Sequence, residues 1–396
     1  MENSATVEFE NDNNQEGNSL AKKVAMTLAI FALIYGILLS VGMIGSGFKL
    51  ASGGKDGAKA IFSFASNPIM GLILGTFATA LVQSSSTVTS VIVSLVATGG
   101  LSVSMAVPMI MGANIGTTVT NTIVSMGHVN DKKDFGRAFS AATIHDFFNL
   151  CAVIIFLPLE MAFGLLEKAS AAITGMMSFS LQTNVKDFNF IKPITKPVIG
   201  GAEGFFTSLG MGSTGVGVLM AISGVFLIFL SIFYMGKILK KLMVGKAQDI
   251  FHKTIGKGPI TGISSGAACT VLVQSSSTTT SLIVPMAGNG LLSLKEVYPF
   301  TLGANIGTCI TALMVALTIS GTGAEAALQI AIVHLLFNVF SVVIIYGIPT
   351  LRNIPLKGSE KLAGVAEERK YLAIAYIMLV FFGLPGLCYG ISKWVN

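Results

Sequence analysis

An internal repeat that sets a polar patch inside apolar sequence constrains this chain more than any other feature. Residues 81–87 read Leu-Val-Gln-Ser-Ser-Ser-Thr, and the same seven residues return at 272–278, an offset of 274 − 83 = 191 positions. The same offset relates Gly-Ala-Asn-Ile-Gly-Thr at 112–117 to its copy at 303–308. Hydrocarbon tolerates such patches only where protein buries them or where they line a wet cavity. We therefore interpret the two patches as halves of one binding site.

Composition indicates that this repeat belongs to a membrane protein. The 396 residues are 52% hydrophobic and only 11% charged, and a soluble domain carries roughly twice that charge. Apolar runs of about 20 residues predict helices, because barrel strands would be near 10 residues and alternate. The predicted fold is an all-α integral membrane protein with about 7–8 transmembrane helices, two re-entrant helical hairpins and an inverted-topology repeat.

The chain is predicted to consist of six segments. They are a disordered cytoplasmic tail at 1–23, a first repeat at 24–182 (span 1, hairpin 1, spans 2 and 3), an external linker at 183–212, a second repeat at 213–350 (span 4, hairpin 2, spans 5 and 6), a cytoplasmic loop at 351–370 and a C-terminal span at 371–396. The apolar run after Lys23 is too long for a signal-peptide core, so we interpret it as span 1. Residues 160–182 are predicted to form an interfacial helix, with an eighth span as the alternative.

Basic segments set the orientation of the spans. Lys and Arg cluster at 132–137, 237–246 and 352–370, which predicts a cytoplasmic side for each cluster. With a cytoplasmic N-terminus, span 1 runs outward, and span 4, its counterpart in the second repeat, runs inward. Two similar units in opposite orientation are an inverted repeat, and such repeats with broken helices are typical of transporters.

The serine patches have a chemistry that suits an anion and a cation together. A helix that begins at the patch offers free N–H groups to an anion, while the helix that ends there offers carbonyl oxygens to a hard cation. Serine and threonine hydroxyls can serve either ion, and small residues also favour plain helix packing. The predicted substrate residues are Gln83, Ser84, Ser85, Ser86, Gln274, Ser275, Ser276 and Ser277. The predicted sodium ligands are Thr87, Asn114, Thr117, Asp146, Thr278, Asn305 and Thr308.

Several of these polar residues have a structural alternative. Asn114 and Asn305 either bind the cation, support the opposite tip or hold helices together by amide bonds. Asp146 has Leu335 as its counterpart, so it breaks the symmetry; it binds Na⁺, relays protons or pairs with Arg137 or His145. His145 and His334 are expected to join helices.

The sequence does not favour an enzyme. Residues 262–266 fit G-x-S-x-G, but no strand precedes them and no acid-then-His pair follows, so a hydrolase elbow is rejected. The four cysteines lack paired spacing, so we expect no disulfide framework, no cofactor and no metal other than Na⁺ as the coupling ion.

The paired Gln-Ser-Ser-Ser blocks, the paired Gly-Ala-Asn-Ile-Gly-Thr blocks and His-Asp-Phe-Phe-Asn at 145–149 resemble the type II sodium-dependent phosphate cotransporters. The resemblance covers about residues 24–390. It implies Na⁺-driven import of phosphate, mainly HPO₄²⁻, with the two serine tips forming the substrate and sodium region. Electrogenic relatives carry an acidic residue where Asp146 stands, which implies three Na⁺ per phosphate. Cys309, where the first repeat has Thr118, argues against identical binding by the two halves.

Two other functions stay open from the sequence. One is a sodium-coupled carrier for sulfate or a dicarboxylate, and the other, from a different class, is an anion channel. The expected partners are inorganic phosphate, sodium and the lipid bilayer, with a homodimer left open and no nucleic acid. The expected location is the plasma (cytoplasmic) membrane.

Overall fold

The computed structural model describes residues 2–51, 66–181, 191–254, 256–319, 321, 323–387 and 390. These residues are helical and contain no strand. The helices are α1 Glu2–Ala51, α2 Pro68–Val82, α3 Ser85–Ala97, α4 Val103–Gly116, α5 Val119–Ser125, α6 Lys132–Phe163, α7 Leu165–Leu181, α8 Ile191–Ser208, α9 Ser213–Thr254, α10 Pro259–Val273, α11 Ser276–Gly288, α12 Leu294–Thr318, α13 Ala324–Ser341, α14 Pro349–Glu368 and α15 Tyr371–Ile377. Helix α13 continues as a π-helix over Val342–Tyr346, and α15 continues over Met378–Gly383.

Six helices in the described part of the chain are long and apolar enough to cross a membrane. They cover Val24–Ala51, Val103–His128, Lys132–Phe163, Ser213–Ile238, Leu294–Thr318 and Ala324–Tyr346. Each corresponds to one of the first six predicted spans, which confirms the prediction of an all-α membrane protein. The seventh predicted span is a shorter apolar helix, Tyr371–Leu387. The alternative eighth span corresponds to α7, which is not among the six.

Two segments predicted to lack helix are helical in the structure. The acidic tail at 2–23 is the first part of α1, because a helix propagates outward from an apolar span more easily than it nucleates. The loop predicted at 351–370 is α14, whose buried residues Pro355, Ser359, Ala363 and Ala366 share one face. That face packs on α6, where Ala363 and Ala366 join Phe135 in a small core. The charged residues of this segment mask its periodic stripe in the sequence. Within the predicted linker, residues 182–190 lie outside the described part and α8 follows them.

Each serine patch separates two short helices, as predicted. Helix α2 ends at Gln83, whose backbone is left-handed (φ 56°), and α3 begins after Ser84, whose backbone is extended (φ −151°). Gln274 and Ser275 repeat this geometry with φ values of 56° and −157°. Helices of 13–15 residues are about 22 Å long at most, which is less than the roughly 30 Å of hydrocarbon. That each pair enters and leaves on one side of the bilayer stays a prediction.

Glycines at the 191-residue offset bring helix backbones into direct contact. A methyl group on Gly112 would lie 2.0 Å from the carbonyl oxygen of Leu72, and one on Gly303 would lie 1.9 Å from that of Ile263. Thus α2 packs against α4, and α10 packs against α12 in the same way. The first half of each hairpin, α2 or α10, is therefore packed closely against the Gly-Ala-Asn helix of its own repeat, α4 or α12.

The second half of each hairpin packs into the other repeat. Helix α3 contacts α12 and α13, whereas α11 contacts α5 and α6. The two repeats are therefore interleaved through the second half of each hairpin.

We expect Gly112→Ala to destabilise the protein, because the added methyl must push two backbones apart. Overpacking of this kind costs about 1–3 kcal/mol. Thermal unfolding in detergent, followed by size-exclusion chromatography, measures the effect. Gly175→Ala is the matched control, since a methyl there meets no atom within 4 Å. Equal melting temperatures for the two variants would contradict the close packing described here.

Candidate functional site

Both serine tips line one cavity of about 500 Å³. The first tip contributes Gln83, Ser84, Ser85 and Ser86, and the second contributes Gln274, Ser275, Ser276, Ser277 and Thr278. Thr120, Val273, Ser281, Leu282 and a wall from α9 complete the lining. All eight residues predicted to hold the substrate therefore meet at one place, although they lie 191 positions apart in the chain.

Each tip presents the beginning of a helix to the cavity. The hydroxyl of Ser84 accepts a hydrogen bond from the backbone N–H of Thr87 at 3.3 Å and lies 2.9 Å from the hydroxyl of Thr87. Ser275 accepts from the N–H of Thr278 at 3.2 Å. These caps use the third N–H group of each helix and leave the first two, which have no partner within the helix. Such groups with the helix dipole form an anion site.

The two glutamines hold the tips in position. Gln83 donates through Nε2 to the carbonyl oxygen of Ala80 and accepts at Oε1 from the Thr120 hydroxyl at 2.8 Å. Gln274 likewise donates to Val271 at 2.6 Å and accepts from Thr311 at 3.1 Å. Their amide groups thus already have protein partners beside the cavity they line. Thr120 and Thr311 also lie 191 residues apart, so the repeat could have revealed them.

Exposure differs between the two otherwise similar tips. The side chain of Gln83 is exposed, whereas that of Gln274 is only 7% exposed. Ser85, Ser86 and Ser276 are buried. Ser84, Ser275 and Ser277 are half-buried. The serines of both tips are therefore partly covered, and the clear difference in exposure is between the two glutamines.

Lys237 is the charged side chain among the residues that line the cavity. It is exposed, and its ammonium lies 5.1 Å from the ring centroid of Phe233 and 5.9 Å from that of Tyr234. Cation–π contacts of this length hold an ammonium without neutralising it. In the sequence this lysine indicates only the orientation of span 4, because the hydrophobic periodicity of the span does not reveal that α9 forms a cavity wall.

The predicted sodium ligands do not converge on the cavity. Thr278 lines it, and Thr87 is bonded to Ser84 behind the first tip. The hydroxyls of Thr117 and Thr308 donate to Ala113 and Ala304 in their own helices, both at 3.0 Å. Asn114, Asn305 and Asp146 lie outside the described residues that line the cavity.

Asn114 and Asn305 instead form a crossed network between the repeats. Asn114 donates to Asn338 at 3.0 Å, and its Oδ1 lies 3.1 Å from Nε2 of His334. Asn305 donates to Asn149 at 2.8 Å, and its Oδ1 lies 2.5 Å from Nε2 of His145. Each asparagine thus bonds the histidine–asparagine pair of the other repeat. The contacts agree with the alternative that these amides join helices.

Asp146 is buried and has a partner that the sequence did not indicate. The hydroxyl of Tyr376 donates to its Oδ2 at 2.8 Å. The expected alternative partners are engaged elsewhere, since Arg137 contacts Asp134 and Gly288, and His145 contacts Asn305. Tyr376 lies beyond the second repeat, so a comparison of the two repeat sequences could not have identified it as the partner of Asp146.

These features define a class of protein: an α-helical membrane protein whose two interleaved repeats enclose one polar, anion-suited cavity. The family model for the Na⁺/Pi-cotransporter matches residues 37–183 and 227–353. The chain belongs to this family.

Named relatives agree with the family. The sodium-dependent phosphate transport protein 2A of Rattus norvegicus is 32% identical over 96% of this chain and 69% of its own length. The sodium-dependent phosphate transport protein 2B of Homo sapiens is 30% identical over 93% of this chain and 65% of its own length. No solved structure was found to match the chain.

We expect Thr311→Val to destabilise the protein more than Thr120→Val. Thr311 is the donor to a buried glutamine oxygen, and a buried acceptor without a donor costs about 1–3 kcal/mol. Water can replace Thr120 at the exposed Gln83. Melting temperatures of the two purified variants provide the comparison, and a larger loss for Thr120→Val would contradict it.

Proposed function

We propose that this protein imports inorganic phosphate, mainly as HPO₄²⁻, together with three Na⁺, by alternating access. Sodium-dependent phosphate transport follows from its family and from the named activity of its relatives. The observation that carries the assignment to a site is the single cavity lined by both serine tips.

Charge matching favours a divalent oxyanion in this cavity. Two helix beginnings supply roughly half a positive charge each, and Lys237 adds one more at the wall. The total of about two positive charges offsets the two negative charges of HPO₄²⁻. The serine hydroxyls and free N–H groups are donors, which suit the acceptor oxygens of a tetrahedral anion. Na⁺ then binds near the carbonyl ends of the first half-helices or at Asp146.

The inverted repeat supplies the two states that alternating access needs. In the structure Gln83 of the first tip is exposed, whereas Gln274 of the second tip is buried. Exchange of these two environments would bury Gln83 and expose Gln274. Such a carrier lies in the cytoplasmic membrane with its N-terminus inside; that orientation and the homodimer stay predictions.

Three sodium ions make the import energetically strong. A tenfold Na⁺ gradient supplies about 1.4 kcal/mol per ion. Three ions supply about 4.2 kcal/mol, and the one net charge that accompanies HPO₄²⁻ adds about 2.3 kcal/mol at 100 mV. Two ions would supply only about 2.8 kcal/mol and move no net charge.

Radiolabelled phosphate uptake into proteoliposomes tests the function. We expect saturable uptake with an inward Na⁺ gradient, little uptake when choline replaces Na⁺, and competition by arsenate but not by sulfate. Uptake that persists in choline would indicate the anion channel. Inhibition of phosphate uptake by sulfate or a dicarboxylate would indicate a carrier for another anion.

Lys237→Met should raise the KM for phosphate about tenfold, because loss of one charge near a dianion costs on the order of 1 kcal/mol or more. Lys237→Arg keeps the charge and should change KM far less. Uptake kinetics at fixed Na⁺ measure both. Lys168→Met, which removes an exposed lysine of α7 away from the cavity, serves as the control. A KM unchanged in Lys237→Met would remove this lysine from the site.

Asp146→Gly should leave phosphate uptake measurable but abolish the phosphate-evoked current. The variant loses the carboxylate proposed to bind the third Na⁺, so two ions and one dianion carry no net charge. Current and uptake recorded on the same reconstituted preparation give the result. An unchanged current would exclude Asp146 from the electrogenic step.

A further inference from the structure

Two features of the chain have no counterpart in the repeat, and the structure brings them together. Asp146 stands where the second repeat has Leu335. Helix α15 follows the second repeat and supplies Tyr376, whose hydroxyl donates to Asp146. The partner of the unmatched carboxylate is therefore a residue from outside both repeats.

Aromatic packing fixes the ring of Tyr376. Phe139 lies edge-on at 6.4 Å between centroids, and Phe381 lies edge-on at 6.1 Å. With the ring fixed, the 2.8 Å hydrogen bond also fixes the carboxylate of Asp146.

The same C-terminal helix packs beneath the first serine tip. Ile377 and Phe381 form a small core with Ala80 and Val119. Ala80 provides the carbonyl oxygen that receives the hydrogen bond of Gln83, and Val119 follows Thr118 in the chain. Helix α15 therefore contacts both the carboxylate and the support of the tip that lines the cavity.

The second oxygen of Asp146 is available to an ion. Oδ1 is buried and has no hydrogen-bond partner among the described residues. A buried carboxylate oxygen without a donor is costly unless something satisfies it. A cation at Oδ1 would do so, and the bond from Tyr376 to Oδ2 orients the group for it.

We propose that Tyr376 is a positioning residue that orients Asp146 for a coupling Na⁺. The inference rests on the proposed electrogenic function, in which Asp146 serves the third Na⁺. Tyr376 acts through Asp146 and makes no contact with phosphate. Its loss therefore changes the sodium dependence and the charge moved, and affects the KM for phosphate much less.

The test compares Tyr376→Phe with wild type and with Asp146→Gly in proteoliposomes. The variant removes only the hydroxyl and keeps the ring. Phosphate flux at imposed potassium–valinomycin potentials gives the charge moved per phosphate, and uptake against Na⁺ concentration gives the apparent sodium affinity. We expect an apparent Na⁺ affinity about tenfold lower in Tyr376→Phe, as for the loss of a hydrogen bond to a charged group. Tyr371→Phe, an exposed tyrosine at the start of the same helix, should match wild type.

The outcomes separate this inference from the proposed function. If Asp146→Gly abolishes the current while Tyr376→Phe keeps the wild-type sodium affinity and charge ratio, the function stands and the role of Tyr376 is overturned. A lower melting temperature with unchanged sodium dependence marks a structural role and overturns it equally. If wild type moves no net charge, the electrogenic function fails and the inference fails with it. Phe139→Leu, which loosens the ring but keeps the hydroxyl, should lower sodium affinity by a smaller factor.

Discussion

A helix that breaks inside hydrocarbon leaves backbone N–H and C=O groups that lipid cannot hydrogen-bond. The rest of this structure depends on how the protein supplies partners for these groups. At each break a left-handed glutamine ends one helix and a serine caps the next. The glutamine amide is tied to a threonine of the neighbouring polar helix. The first two N–H groups of each second half-helix have no partner within the helix and lie at the tip that lines the cavity. At that position they can bind an anion.

Interleaving of the repeats follows from the same requirement. A short helix cannot bury its own broken end, and each second half-helix is therefore covered by helices of the other repeat. The crossed bonds from Asn114 and Asn305 join the repeats at their centre. A single repeat would leave these amides without the partners that the other repeat supplies. It would also provide only one of the two tips that line the cavity.

The two repeats depart from symmetry at three places. Gln83 is exposed whereas Gln274 is buried. The helix carrying Gly112 ends at Gly116, while its counterpart runs unbroken from Leu294 to Thr318, and Asp146 has only an apolar counterpart. The matched serine tips line the cavity, whereas the unmatched Asp146 lies outside the described residues that line it.

The sequence alone determined the membrane class, the broken helices, the pairing of the serine tips and the anomaly at Asp146. Each of these depends on local hydropathy or on comparison of one copy with the other, both of which are visible in a linear chain. Only the tertiary structure decided that the asparagines join the repeats, that Lys237 forms a cavity wall and that Tyr376 partners Asp146. Those contacts depend on which faces of the helices pack against each other across the bundle. Close packing at glycines determines these faces, and it leaves no periodic pattern in the sequence at the residues that come into contact.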